Sequence, residues 1–280
     1  MIHPIAAGTF YPAGKEALLK ELDKCFSSIK GKAAFAKGSL NKKVYGIICP
    51  HAGYAYSGNA AALSYNAVKA NKGKTFVIFA PDHNGYCFNP TTTNEDFETP
   101  LGIVKTDKEL VEKLLKKCDF LKQGKIQEHA VEVQLPFLQY LFKEDFKVVC
   151  IVVPSPKYYK EFGKAVASVC RDAIIIASSD FTHYGAAYGY MPFSARDAKT
   201  EMKKLDSGAI RFIEKLDSEG FLNYVEKTGA TICGQYAIAA AIEAVKAMGA
   251  KEGKLLKYYT SGDISGDYSF AVGYAAVAFV

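Results

Sequence analysis

The stretch VYGIICPHAGYAYSG (44–58) joins a short apolar run to a Pro- and Gly-bounded turn that carries a histidine. Three more runs have the same character: TFVIFA (75–80), KVVCIVV (147–153) and DAIIIAS (172–178). All are almost continuously apolar rather than alternating, the pattern of strands covered on both faces, so they predict a largely parallel sheet between helices. Helical patterns fill the gaps at 14–30, 58–71, 107–118, 131–142, 157–171, 206–215, 218–227 and 234–248. AVGYAAVAFV (271–280) reads as a last strand, entered from the Gly- and Asp-rich turn SGDISGD (261–267). The expected architecture is α/β, a three-layer αβα arrangement with a mostly parallel central sheet, in one domain spanning 1–280.

Composition narrows the function classes. The 280 residues are 49% hydrophobic and 23% charged, too apolar and too weakly charged for a disordered chain. The net charge of +6, from 35 Lys+Arg against 29 Asp+Glu, is dispersed over helical faces such as 108–117, with no run of five like charges. That pattern speaks against nucleic acid as a partner. No apolar stretch approaches the ~18 residues of a membrane span. The opening MIHPIAAGTFYPAGKEALLK has no basic n-region and puts Pro and Gly where an apolar core would sit, so no signal peptide is expected. Seven scattered cysteines without a CxxC pair fit a cytoplasmic protein whose thiols are mostly small core residues.

The chemistry lies in the turns after the strands. The chain has five histidines, and three of them follow apolar runs. They are His51 in PHAGYAYSG (50–58), His83 in APDHNG (80–85) and His183 in SSDFTHYG (178–185), three residues after Asp180. Open α/β sheets build their sites from loops leaving the carboxyl ends of strands. One such histidine is commonly an incidental loop residue; three on one edge point to a site. His129 belongs to EHAVEVQLPFL (128–138), where Glu128, His129 and Glu132 share the first turns of a helix. Two readings stand there: capping with surface charge, or a proton-shuttling His129 oriented by Glu132.

Cys233, in ATICGQ (230–235), immediately precedes a small-residue helix whose dipole favours a thiolate. If it meets two of the histidines, the set suits iron, copper or zinc and keeps coordination positions open, as a catalytic metal requires. Tyr54, Tyr56, Tyr86, Tyr184 and Tyr188 crowd the same loops and are candidates to line a pocket.

Seven segments together resemble the MEMO family, whose prokaryotic members are also called AmmeMemoRadiSam system protein B. They are AGTFYPA (7–13), PHAGYAYSG, APDHNG, EHAVEVQLPFLQ (128–139), SSDFTHYG, CGQ (233–235) and the C-terminal YYTSGDISGD…VGYAAVAF (258–279), in order along nearly the whole chain. The resemblance implies a fold like the class III extradiol dioxygenases, whose αβα core carries a mononuclear non-haem metal. Position by position, it makes His51, His83 and Cys233 the metal ligands. It places Asp180 and His183 in the same cleft, His183 where the dioxygenases keep an acid–base histidine, and matches His129 to a histidine motif nearby. In a redox enzyme, His183 would move protons with Asp180 holding its tautomer. Two departures matter. The dioxygenases use a carboxylate where this chain has Cys233, and Asp82 precedes His83 where the family more commonly has a small residue.

The expected function is therefore that of a metal-binding, dioxygenase-like oxidoreductase using iron or copper, with zinc possible. The alternative is a non-catalytic module that grips a peptide or small ligand in the same cleft, in keeping with the cell-motility role behind the family's name. Zinc hydrolysis, with His183 or Glu132 as base, ranks third.

Overall fold

The apolar runs become the four strands at the heart of the sheet. The structure, a computed structural model, describes residues 1–29, 43–71 and 74–280. β1 (Gly46–Cys49), β2 (Thr75–Ala80), β7 (Lys147–Val152) and β8 (Ile174–Ser178) lie side by side in the order β1-β8-β2-β7, all parallel. The edges are mixed. β11 (Phe270–Phe279) runs antiparallel to β1 and pairs with β10 (Gly253–Thr260) and β9 (His183–Gly185). On the other side, β3 (Thr91–Thr92) pairs antiparallel with β7 and parallel with β6 (Lys122–Gln123). Among the described residues these nine strands form one sheet, and β4 (Phe97–Thr99) with β5 (Gly102–Val104) forms a separate hairpin.

Alternation along the buried strands divides the core into two apolar layers. Ile47, Cys49, Ile78, Val148, Cys150 and Ile176 face one layer. There they meet α1 (Lys15–Ser27), α2 (Tyr54–Val68), α4 (His129–Glu132) and α5 (Leu135–Phe142). Ile48, Val77, Phe79, Val149, Ile175 and Ala177 face the other. That side is covered by α3 (Lys108–Lys117), α6 (Tyr159–Val169), α7 (Ala198–Glu214), α8 (Ser218–Thr228) and α9 (Gln235–Met248). The three layers and mostly parallel sheet are those expected from the sequence. No described helix is long and apolar enough to cross a membrane.

Several boundaries differ, each for a local reason. The pattern at 131–142 is two helices, because Pro136 sits in the first turn of α5 and starts a new helix after α4. The pattern at 206–215 is only the C-terminal half of α7, and α2 begins at Tyr54, not at residue 58. Residue 30, the end of the first expected helix, lies outside the described residues. The turn at 261–267 contains a short helix, α10 (Ser261–Ser265), begun by a capping box between Thr260 and Asp263. β10, β9, the short strands β3 and β6 and the β4–β5 hairpin have no counterpart in the sequence reading. β10 is an edge strand with part of each face exposed, so it lacks the continuous apolar signal of the central four.

Register sets the position of the chemistry. Cys49 pairs with Ser178, Phe79 with Ala177 and Ala80 with Val152, so the carboxyl ends of the four strands are level. His51, Asp180 and His83 follow within two or three residues. From the other direction, Phe181 N–H donates to Gly273 O (2.8 Å) and Gly273 N–H to Thr182 O (2.9 Å), tying the 180–183 segment to β11. Asp206 on α7 grips the same segment: Thr182 Oγ1 and the Thr182 N–H donate to Oδ1 at 2.5 and 3.2 Å, and Tyr258 Oη donates to Oδ2 at 2.7 Å.

Two outcomes follow from this packing. Burial outweighs the hydrogen bonds and raises the Asp206 carboxyl from 3.8 to about 6. Its protonated form therefore contributes stability that is complete below pH ~4 and lost as pH rises through ~6. At ~1.4 kcal/mol per pKa unit, the stability of Asp206→Asn relative to the parent should improve by about 3 kcal/mol between pH 4 and pH 8. Denaturant melts across that range check this, and a pH-independent difference contradicts it. Gly163 lets α6 approach α9: an added Cβ would lie 2.6 Å from Ala240 O and 2.7 Å from Glu243 Cβ. Gly163→Ala should destabilise by about 1–3 kcal/mol in the same melts, although alanine is the better helix former.

Candidate metal centre

Four histidines and a cysteine meet at the level strand ends. His51, His83, His129 and His183 line one cleft of about 490 Å³ together with Asp180. Ring centroids lie 5.1 Å apart for His51 and His83, 4.4 Å for His83 and His129, and 5.5 Å for His51 and His129. Cys233 Sγ is 3.2 Å from His51 Nε2. One donor atom from each of His51, His83 and Cys233 falls within 4.8 Å of the others, and a second such group is His83, Glu128 and His129.

Hydrogen bonds behind the rings fix which nitrogen faces the cleft. His183 Nδ1 is 2.9 Å from Thr231 O, which can only accept, so Nδ1 carries a proton and the neutral ring has its lone pair at Nε2. His51 Nδ1 is 2.9 Å from Ser178 Oγ, whose own hydrogen goes to Ala130 O at 2.6 Å, so His51 too is protonated at Nδ1. His83 and His129 put Nδ1 at 2.9 and 3.1 Å from Glu128 Oε1. In its neutral form each of the four imidazoles then presents the Nε2 lone pair, the form needed by a ligand or a proton acceptor.

The electrostatics agree. Burial, reinforced by His83 and His129, holds His51 well below its ordinary value, so it stays neutral. Burial alone would raise Glu128, but hydrogen bonds from His129, His83 and the Ala130 N–H outweigh it and keep the carboxyl well below the usual range. Burial raises Asp180 despite the His51 N–H it accepts at 2.9 Å. Cys233 sits just ahead of α9, as expected, where Gly234 packs so closely on the end of β8 that a Cβ would lie 2.6 Å from Ser178 O. Burial, and then Asp180, push the Cys233 thiol up, against the thiolate that a helix start favours. The thiol instead donates toward the His51 Nε2 lone pair. Neutral imidazoles and a thiol that ionises on binding are a donor set that fits a soft or borderline cation.

Three sequence-based roles are corrected. Glu132 does not orient His129; it accepts from the Ile5 N–H (2.7 Å), the Ala6 N–H (2.9 Å) and Tyr11 Oη, stapling the N-terminal segment 5–11 to α4. Asp180 does not hold the tautomer of His183, since Thr231 O does. Of the tyrosines, Tyr56 and Tyr188 line the cleft with Phe10 and Phe270, whereas Tyr54 and Tyr184 are core residues and Tyr86 points to solvent. Tyr54 and Tyr184 satisfy their hydroxyls on Val133 O and Phe193 O. Asp82 accepts the Cys87 N–H at 2.6 Å and so pins the loop that carries His83. Five of the other six cysteines are buried, and Cys87 is half-buried. Glu128 as holder of two histidines, Ser178, Gln134 and Thr231 went unread; the polar end of an otherwise apolar run was the available signal for Ser178.

Comparison with known proteins places this geometry in a family. A family model described as "Memo-like protein" matches residues 3–278. A MEMO1 family protein of Methanopyrus kandleri is 39% identical, over 99% of this chain and 98% of its own length. Those of Methanosarcina acetivorans and Nitrosopumilus maritimus are 38% and 35% identical, each over 99% of this chain and 98% of their own length. Among solved structures, the uncharacterized protein JW3007 from Escherichia coli K12 shares the fold with a TM-score of 0.55 at 12% identity, over 85% of this chain and 100% of its own. From end to end, the chain belongs to the Memo-like protein family.

Proposed function

We propose that the protein binds one transition-metal ion, iron or copper in preference to zinc, through His51, His83 and Cys233, and works as a dioxygenase-like oxidoreductase. The observation that carries this reading is the meeting of three donors from three separate segments within 4.8 Å, with His51 Nε2 3.2 Å from Cys233 Sγ. A metal held by three protein donors keeps open positions and supplies Lewis-acid and redox chemistry to a substrate. The rest falls to the chain itself. His183, its Nε2 lone pair facing the cleft, accepts a proton from bound substrate, and His129 offers a second acceptor. Asp180 holds the turn of His51 through the His51 N–H. The stacked pair Tyr188–Phe270, centroids 4.8 Å apart, with Phe10 and Tyr56, gives apolar walls for a planar small molecule or a peptide side chain. Thiolate in place of carboxylate makes a softer, more electron-donating ligand set, so aromatic ring cleavage does not follow from the shared fold.

Purification without oxygen followed by metal analysis tests the proposal. Stoichiometric iron or copper is expected in the parent and is lost in Cys233→Ser with unchanged circular dichroism. Parent protein that emerges metal-free, and takes up no added iron, copper or zinc, overturns it and leaves the ligand-gripping module in its place.

A further inference from the structure

One buried carboxylate stands behind two of the cleft histidines. Glu128 Oε1 lies 2.9 Å from His83 Nδ1, 3.1 Å from His129 Nδ1 and 3.0 Å from the Ala130 nitrogen, while Oε2 accepts the His83 N–H at 2.8 Å. Glu128 thus caps α4 with the same oxygen that receives both rings. A carboxylate accepts only, so each ring must present its proton at Nδ1. Three N–H groups converge on Oε1, more than its two lone pairs, and the His83 N–H takes one of the two on Oε2. The backbone pair cannot leave to make room for a cation. This count weighs against the other use of the cluster, as an ion site built from His83, Glu128 and His129. His51 and His183 have separate holders, Ser178 Oγ and Thr231 O, so any effect of Glu128 is confined to one pair.

We propose that Glu128 is a positioning residue that sets the tautomer and ring orientation of a metal ligand, His83, and of a proton acceptor, His129, through one shared oxygen. The ligand half rests on the metal-binding reading above; the tautomer half does not. Removing the carboxylate frees both rings to exchange tautomers and turn, so the His83 donor is presented for only part of the time. Losses from such supporting groups typically run ~10–100-fold in metal affinity.

Long-range 1H–15N spectra of the metal-free protein, together with metal titrations, test the proposal on the parent and on Glu128→Ala, which leaves neither ring an acceptor at this position. In the parent, His83 and His129 should both be Nδ1–H tautomers. In Glu128→Ala, those two signals should move toward mixed tautomers while His51 and His183 keep theirs. Zinc affinity should fall ~10–100-fold with the fold retained. An Nε2–H tautomer at either ring in the parent, which needs no variant to detect, overturns the proposal. So do tautomers and zinc affinity unchanged in Glu128→Ala, or a second zinc equivalent that only this variant loses. Parent protein that takes up no iron, copper or zinc yet shows both Nδ1–H tautomers supports the role of Glu128 and removes the metal reading instead.

Discussion

The hydroxyl of Ser178 sits where the end of β8, the turn of α4 and the exit from β1 converge. Its hydrogen goes to Ala130 O at 2.6 Å, and its lone pairs receive Gln134 Nε2 and His51 Nδ1, each at 2.9 Å. Gln134 also donates to Pro50 O at 3.1 Å and accepts from Tyr65 Oη at 2.8 Å. All of these groups are buried, and a single unmet partner would cost about 1–3 kcal/mol. The network therefore holds together as a whole or not at all, and it fixes His51 while joining the sheet edge to the helical layer. Among the described residues, no buried side-chain nitrogen or oxygen lacks a partner.

From this fixed edge the character of the cleft follows. Burial keeps His51 neutral, and acceptors behind all four imidazoles turn the same nitrogen forward. A pocket whose neutral imidazoles turn Nε2 lone pairs forward, with a thiol beside them, has a donor set that fits a cation. Apolar and aromatic side chains cover the approach, which lowers the local polarity and strengthens each polar contact inside.

The parts legible in the sequence were those decided within a few residues of chain. Continuous apolar runs marked the central strands, and each histidine stood just past a strand end, so the layered fold and the sheet edge carrying His51, His83 and His183 could be read directly. What escaped depended on distant segments. Glu128 and Glu132 are equivalent by spacing, four residues apart on one turn. Only the return of the N-terminal segment 5–11, more than 120 residues earlier in the chain, claims Glu132 and leaves Glu128 to the histidines. Tyr54 and Tyr184 look like pocket residues by position, yet packing turns them into the core. The Cys233 thiol shows the same limit: a helix terminus is visible in sequence, but the burial that pushes the thiol up is not.

X-ray absorption at the zinc edge of the reconstituted protein reads the central claim directly, since it counts the atoms that touch the ion. Two imidazole nitrogens at about 2.0–2.1 Å and one sulfur at about 2.3 Å are expected, with the sulfur lost in Cys233→Ser. A zinc shell of nitrogen and oxygen alone in the parent contradicts the assignment of Cys233 as a ligand.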